Sequence, residues 1–216
     1  KHIKRFKEKF FKSKLIKVKV ETLVKDLKKN IRNKYLLNRP NLENISYVYK
    51  LSTILKIKNF FFFKALNTFK GLPHRNETFY HKRGIKFIND SKATSFDATR
   101  HSLESNKNIF WIVGGLPKIG DKFKLLNVKK NIIRSYIIGK NIGHFKNQIK
   151  GVLEYKPSFT IEKALKDIIK DLHLSKQKQA TIILSPASAS YDQFKNFAER
   201  GDHFKKLTLK YVRKLL

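Results

Sequence analysis

Three short apolar runs limit the folds open to this chain more than any other feature. "IFWIVGG" (109–115), "RSYIIG" (134–139) and "ATIIL" (180–184) are apolar through their centres, and polar or small residues follow each of them. They are too short for buried helices and show no alternation, so they read as strands covered on both faces. Helical rhythm fills the gaps. "FTIEKALKDIIKDL" (159–172) sets Ile161, Leu165, Ile168 and Leu172 on one face. Further helices are expected over 95–106 and near 141–150, and two more are expected to close the chain. "ETFYH" and "IKFIN" flank "KRG" and read as a hairpin. Strands alternating with helices give an α/β class: a Rossmann-like, mostly parallel sheet with flanking helices.

The first third has a different character. Residues 1–36 alternate lysine with apolar residues, and "LIKVKVETLV" (15–24) reads as a strand or hairpin arm. Residues 41–69 have a helical pattern and are expected to form two helices. "KGLPHRNE" (70–77) combines Gly, Pro and a polar cluster, the composition of a linker. Two domains are therefore expected, 1–70 and 71–216.

Composition bounds the partners. The net charge is +33, from 49 Lys+Arg against 16 Asp+Glu. That excess attracts polyanions, but 40 of the basic residues are lysines spread along the whole chain. Clustered arginine forks, which read bases or clamp phosphates, are missing. Nucleic acid is expected to bind only nonspecifically and with steep salt dependence. No apolar stretch approaches the roughly 18 residues that span a membrane, and no signal-peptide pattern is present. A soluble, cytoplasmic monomer is expected. The chain has no cysteine, which excludes disulfides and thiolate zinc sites. It has no methionine either, so it is expected to be a fragment or a trimmed product.

In a parallel sheet, ligands sit beyond the carboxyl ends of the strands. Three polar loops leave strands there: "NDSKATS", "GGLPKIGDK" and "SPASAS". In the first, Asp90 can accept from a sugar hydroxyl, and Lys92 is a mobile cation suited to phosphate or carboxylate. Thr94 and Ser95 offer hydroxyls near a helix start, where free N–H groups favour anions; either could equally be an ordinary cap. In the second, Gly114 and Gly115 permit close approach to a ligand, followed by Lys118, which on composition alone is one surface lysine among forty. Gly115 and Gly120 have the gap of a phosphate loop, but Asp121 stands where that loop needs lysine, and no such loop occurs elsewhere. In the third, Ser190 could donate to a carboxylate or cap a following helix. Gly201 after "FAER" fits a helix C-cap.

Taken together and in order, "GLPHR", "NDSKAT", "GG.PK.G" and "LSPASASYDQFKNFAERGDHF" resemble the carboxyl-terminal part of the Mur ligases, most closely the member that adds D-glutamate. The resemblance covers residues 36–216 well and the first 35 loosely. It implies the tail of a central ATP-binding domain (1–70) followed by the amino-acid-binding domain (71–216). It also implies an ATP-dependent ligase joining D-glutamate to UDP-N-acetylmuramoyl-L-alanine in peptidoglycan precursor synthesis, with ATP and Mg²⁺ as cofactors. Thr94, Lys118 and Ser190 match the D-glutamate positions, with Phe197 and Lys92 beside them. Asn44, Arg75 and Asp90 match ATP-side contacts, and His74 a positional role. The family's phosphate loop and Mg²⁺ residues lie upstream of the matching stretch, so this chain alone is expected to be inactive. Pro40-Asn41 and Ser188 depart from the family pattern. A non-enzymatic basic binding module descended from such a ligase stays open as the alternative.

Overall fold

The computed structural model describes residues 16–175 and 178–212. The chain divides into two compact units between Gly71 and Leu72. In the first unit, helices α1 (Val20–Asn30), α2 (Arg39–Ile54) and α3 (Asn59–Thr68) pack around Leu27, Ile31, Leu36, Leu42, Ile45 and Phe62. Asn38 caps α2 by accepting from the Asn41 amide at 2.9 Å, and Pro40 in the first turn removes a donor the helix cannot use there. The pair of helices expected over 41–69 is present. The strand expected over 15–24 is not, and the part of that stretch before residue 16 lies outside the described residues. Leu23, Val24 and Leu27 recur at helical spacing, and Leu27 is buried. Burial of that stripe outweighs the local β preference of the Val-rich run.

The second unit is a six-stranded sheet in the order β1-β2-β6-β3-β4-β5. Its strands are β1 (Glu77–Lys82), β2 (Ile85–Asn89), β3 (Ile109–Gly114), β4 (Ile132–Ile138), β5 (Tyr155–Phe159) and β6 (Ala180–Leu184). β1 and β2 form the expected antiparallel hairpin, and all other pairings are parallel. The edge strand β5 was not anticipated. Its sequence, "YKPSF", lacks an apolar run and contains Pro157, which a strand tolerates only at a sheet edge.

Alternate residues of the central strands enter two cores. Trp111, Val113, Ile137 and Ile183 pack under α4 (Phe96–Glu104), the 115–131 connection and α5 (Ile142–Ile149). Phe110, Ile112, Tyr136 and Ile182 pack under α6 (Ile161–Ser175) and α7 (Phe197–Val212). The four α6 residues placed on one face by the sequence are all buried there. The chain thus leaves β2 and β3 toward the first face but leaves β6, which lies between them, toward the second. Connections that diverge in this way open a crevice at the carboxyl edge on either side of β6. Among the described residues no helix is long and apolar enough to cross a membrane.

Among the described residues one helix, not two, follows β6. Residues 191–196 form turns, in which the Ser190 carbonyl accepts from the amides of Gln193 and Phe194. α7 starts only after Asn196, whose Oδ1 accepts from Glu199 N at 2.8 Å while Glu199 Oε2 accepts from Lys195 N at 2.7 Å. This reciprocal cap fixes the start of the helix. Gly201 therefore lies inside α7 and does not end it. A Cβ there would sit 2.3 Å from His74 Nδ1 and 2.9 Å from the Asn89 amide atoms. Glycine lets α7 pack directly on the end of β2.

Candidate functional site

At the end of β2 the chain is tied down by Asp90. Its Oδ1 accepts from the Asn76 amide at 3.0 Å, and its Oδ2 from Ser102 Oγ at 2.6 Å and Ser185 Oγ at 2.8 Å. The side chain is buried. Burial pushes its carboxyl up to about 6, although the two serine hydroxyls, the Asn76 amide and the Arg75 charge pull the other way. Asp90 is placed as a strut between the loops after β2 and β6. The sugar contact expected of it is not what this arrangement supports.

The strut has a pH signature. The carboxyl titrates higher when folded than when unfolded, so between about pH 4 and 6 the unfolded state loses its proton first and stability falls as pH rises. The amount is on the order of 3 kcal/mol, at about 1.4 kcal/mol per pK unit. We expect Asp90→Asn, which cannot ionise, to gain stability relative to the parent by roughly this amount between pH 4 and pH 7. Urea unfolding of both proteins at the two pH values checks this.

The three loops are cross-linked. Leu116 and Ala189 form an antiparallel bridge, each amide donating to the other's carbonyl at 3.0 Å. The Gly114 amide donates to the Pro186 carbonyl, and Ser188 Oγ to the Gly114 carbonyl. Gly115, at φ +139, allows this approach; a Cβ there would meet Ser188 Oγ at 2.4 Å. Trp111 Nε1 donates to the Ser185 carbonyl at 2.7 Å, so the buried indole is satisfied while it holds the β6 loop.

Arg200 of α7 completes the frame and is 1% exposed. Its Nε donates to Ser91 Oγ, and one terminal nitrogen donates to the Ser91 and Ser188 carbonyls at 2.8 and 2.9 Å. The other reaches the Ala189 carbonyl at 3.2 Å. Burial lowers its pKa to about 10. Sequence reading did not single out Arg200, because "FAER" reads as ordinary helix in a chain with 49 basic residues.

At the two helices that follow the β2 and β6 loops, side chains take up part of the N-terminal amides, so Ser95 acts as an ordinary cap. At α4, Ser95 Oγ accepts from Ala98 N, and Asp121 Oδ2 accepts from Phe96 N at 2.8 Å. α7 is closed by its own cap. Asp121, which rules out a phosphate loop, thus serves as an internal anion at a helix start.

Several expected residues remain uncommitted. Lys118 is exposed and has no carboxylate partner among the described residues, two positions beyond the Leu116–Ala189 bridge. Ser190 is 3% exposed, yet its hydroxyl has no hydrogen-bond partner among the described residues. Thr94 is exposed at the tip of the β2 loop. Lys92 lays its ammonium 4.0 Å from the centroid of the Phe197 ring, a cation–π contact worth about 0.5–2 kcal/mol. Two cations, two hydroxyls and an aromatic face thus belong to loops at one edge of the sheet.

Of the residues expected on the nucleotide side, Arg75 is exposed in the turn before β1, and Asn44 is exposed on α2 in the other unit. His74 is buried. Its ring nitrogen lies 2.9 Å from Asn89 Nδ2, and its amide donates to Glu77, a positioning environment. Among the described residues no group of three or more His, Asp or Glu side chains could hold a metal ion.

No family profile matches the chain. A UDP-N-acetylmuramoylalanine--D-glutamate ligase of Nitrobacter hamburgensis is 37% identical over 172 residues, which is 80% of this chain and 37% of the relative. The ligase of the same name from Rhizobium meliloti is 40% identical over 140 residues, 65% of this chain and 30% of the relative. Over most of its length the chain is similar to ligases of that name, at 33–40% identity. It spans a little over a third of the length of the curated Mur ligases first matched. Solved Mur ligases share the fold. MurF from Acinetobacter baumannii superposes with a TM-score of 0.58 at 17% identity, covering 82% of this chain and 38% of that one. MurF from Thermotoga maritima in complex with ADP gives 0.58 at 18% identity, covering 83% and 40%.

Proposed function

We propose that this chain is the amino-acid-binding portion of an ATP-dependent ligase that joins D-glutamate to UDP-N-acetylmuramoyl-L-alanine in the cytoplasm, during peptidoglycan precursor synthesis. Residues 1–70 are then the tail of the central ATP-binding domain, and 71–216 the carboxyl-terminal domain. The identity of about 37% with ligases of that name supports the activity. The observation that carries the site is the set of groups left over after the loops have bound one another: Lys118, Lys92, Thr94 and Ser190.

These groups suit a dianionic amino acid. Lys118 and the Ser190 and Thr94 hydroxyls hold its carboxylates. Lys92, steered by Phe197, adds positive charge on the side where an activated carboxyl would lie. Holding the acid from one side aims its amine at the acyl carbon, the entropic part of the catalysis. ATP and Mg²⁺, when bound, supply the activation of the acyl group. Arg75 and Asn44 are the positions in this chain proposed to face the nucleotide. Nucleic acid is expected to bind only through general charge, with steep salt sensitivity.

The test uses a chimera in which this chain replaces the matching part of the Nitrobacter hamburgensis ligase. With ATP, Mg²⁺ and UDP-N-acetylmuramoyl-L-alanine, D-glutamate should raise phosphate release and L-glutamate should not. The 216-residue chain alone, which has no phosphate loop, should match the no-enzyme blank. Indifference of the chimera to D-glutamate, with the parent ligase active, would remove this reading.

A further inference from the structure

At the sheet edge opposite the candidate site, one row of side chains breaks an otherwise apolar face. His81, Lys86 and Thr181 are lateral neighbours across β1, β2 and β6, in register as His81–Lys86 and Lys86–Thr181. Directly paired residues share a face of the sheet. The row continues to Ile109 of β3, whose side chain is in the core under α4. Two residues further along the strands, the same face carries the buried Ile88 and Ile183. The polar row is therefore the amino-terminal margin of that core.

A cavity of about 330 Å³ opens over the row, lined by His81, Lys86, Lys107, Asn108, Gln179 and Thr181 among others, with no carboxylate in the lining. Lysine is abundant everywhere in this chain, so its presence alone carries nothing. What sets Lys86 apart is its pairing. Two other half-buried lysines have acids: Lys156 meets Asp167, and Lys205 lies between Glu77 and Asp202, while half-buried Lys92 rests on the Phe197 ring. Lys86 is partly buried, and its one side-chain partner among the described residues is the Asn106 side-chain oxygen, at 2.6 Å. Burial lowers its pKa, with no carboxylate to offset it. A partly desolvated ammonium, directly opposite a second basic side chain, is stabilised by an anion placed between them.

We propose that this cavity is a second ligand site, for a small phosphate-bearing molecule with a hydroxylated body. Lys86, Lys107 and His81 receive the phosphate. Asn108, Gln179 and Thr181 supply donors and acceptors for hydroxyl groups. The volume is at the lower end of the range for small-molecule sites, about 300–1,000 Å³, and exceeds what a bare oxyanion needs. The site lies at the amino edge of the sheet, so it is independent of the ligase reading.

The experiment follows amide chemical shifts and titration calorimetry on the full chain at physiological salt. The probes are ribose 5-phosphate, inorganic phosphate and ribose. Ribose 5-phosphate should shift the amides of Gly84, Lys86, Asn108, Gln179 and Thr181, and should bind more tightly than phosphate or ribose. Lys86→Gln with Lys107→Gln keeps an amide donor near Asn106 and should weaken binding at least tenfold. Lys170→Gln with Lys206→Gln, the same charge change on α6 and α7, should leave the affinity within twofold. Equal loss in both double variants, or shifts spread over the lysine-bearing surface, would reduce the site to general charge and overturn the proposal. Phosphate binding as tightly as ribose 5-phosphate would overturn the part that assigns a hydroxylated body.

Discussion

Arg200→Ala is expected to lower the stability of the chain by about 3–5 kcal/mol, a large share of the roughly 5–15 kcal/mol that holds a domain together. The guanidinium is buried and donates to the backbone of Ser91, Ser188 and Ala189 and to the Ser91 hydroxyl. Truncation leaves the Ser91 and Ser188 carbonyls without that donor in a site closed to water. Hydrogen bonds to charged groups are worth about 1.5–3 kcal/mol each, and buried acceptors left unpaired add their own cost. Removing the long side chain also leaves a cavity between α7 and the loops. Arg200→Lys should recover only a minor part, because one ammonium cannot span two loops with a planar fork. Urea unfolding of the three proteins measures the order parent, Lys, Ala. Hydrogen exchange should rise first at Ser91–Ala93 and Ser188–Ser190. Unchanged stability in Arg200→Ala would mean that the loops hold their places through the Leu116–Ala189 bridge and the Asp90 strut alone.

What could be seen in the sequence follows from where burial repeats. β3 and β6 are buried on both faces, so their side chains are apolar without interruption and their positions could be read directly. α6 shows its buried stripe at the helical period. The shared edge of the three loops was also legible, because a parallel sheet puts every strand end on one side. β5 was hidden because an edge strand with Pro157 buries little; only Ser158 in it is buried. α1 was misread because two valines alternate with lysines over a few residues, while the helical stripe that decides the matter runs on to Leu27. Gly201 was misread because a glycine after a helical run signals a cap, whereas its reason lies across space in His74 and Asn89. Arg200 and Asp90 are the clearest cases. Each polar side chain is made structural by partners distant in sequence, Ser91 and Ser188 for one and Ser102 and Ser185 for the other. No local pattern announces such partners. Lys118 and Ser190 drew notice through the family motif, and the structure adds that neither side chain bonds to another of the described residues.

That difference between used and unused groups gives the sharpest test of the proposed function. In the chimeric ligase, Lys118→Ala should raise the D-glutamate Michaelis constant by roughly 10- to 150-fold. A charge-assisted hydrogen bond from an ammonium to a carboxylate is worth about 1.5–3 kcal/mol, at about 1.4 kcal/mol per decade. Lys118 is exposed here and makes no ion pair with the described residues, so truncation should cost little stability. That separates it from Arg200, where any loss of activity would be confounded with loss of fold. The Michaelis constant for ATP should change little, because Lys118 is assigned to the amino acid. If the lysine also aims the amine, the rate at saturating D-glutamate falls as well, and a matched fall in kcat and kcat/KM would mark a contact made in the transition state. Lys124→Ala, also exposed and six residues further along the same loop, is the control for lost surface charge. Steady-state kinetics on both variants, at two salt concentrations, separates a bound carboxylate from long-range attraction, since only the latter is screened over about 8–10 Å. Equal effects of the two substitutions would return Lys118 to the solvated lysines, and the amino-acid site would have to be sought around Lys92 and Ser190 alone.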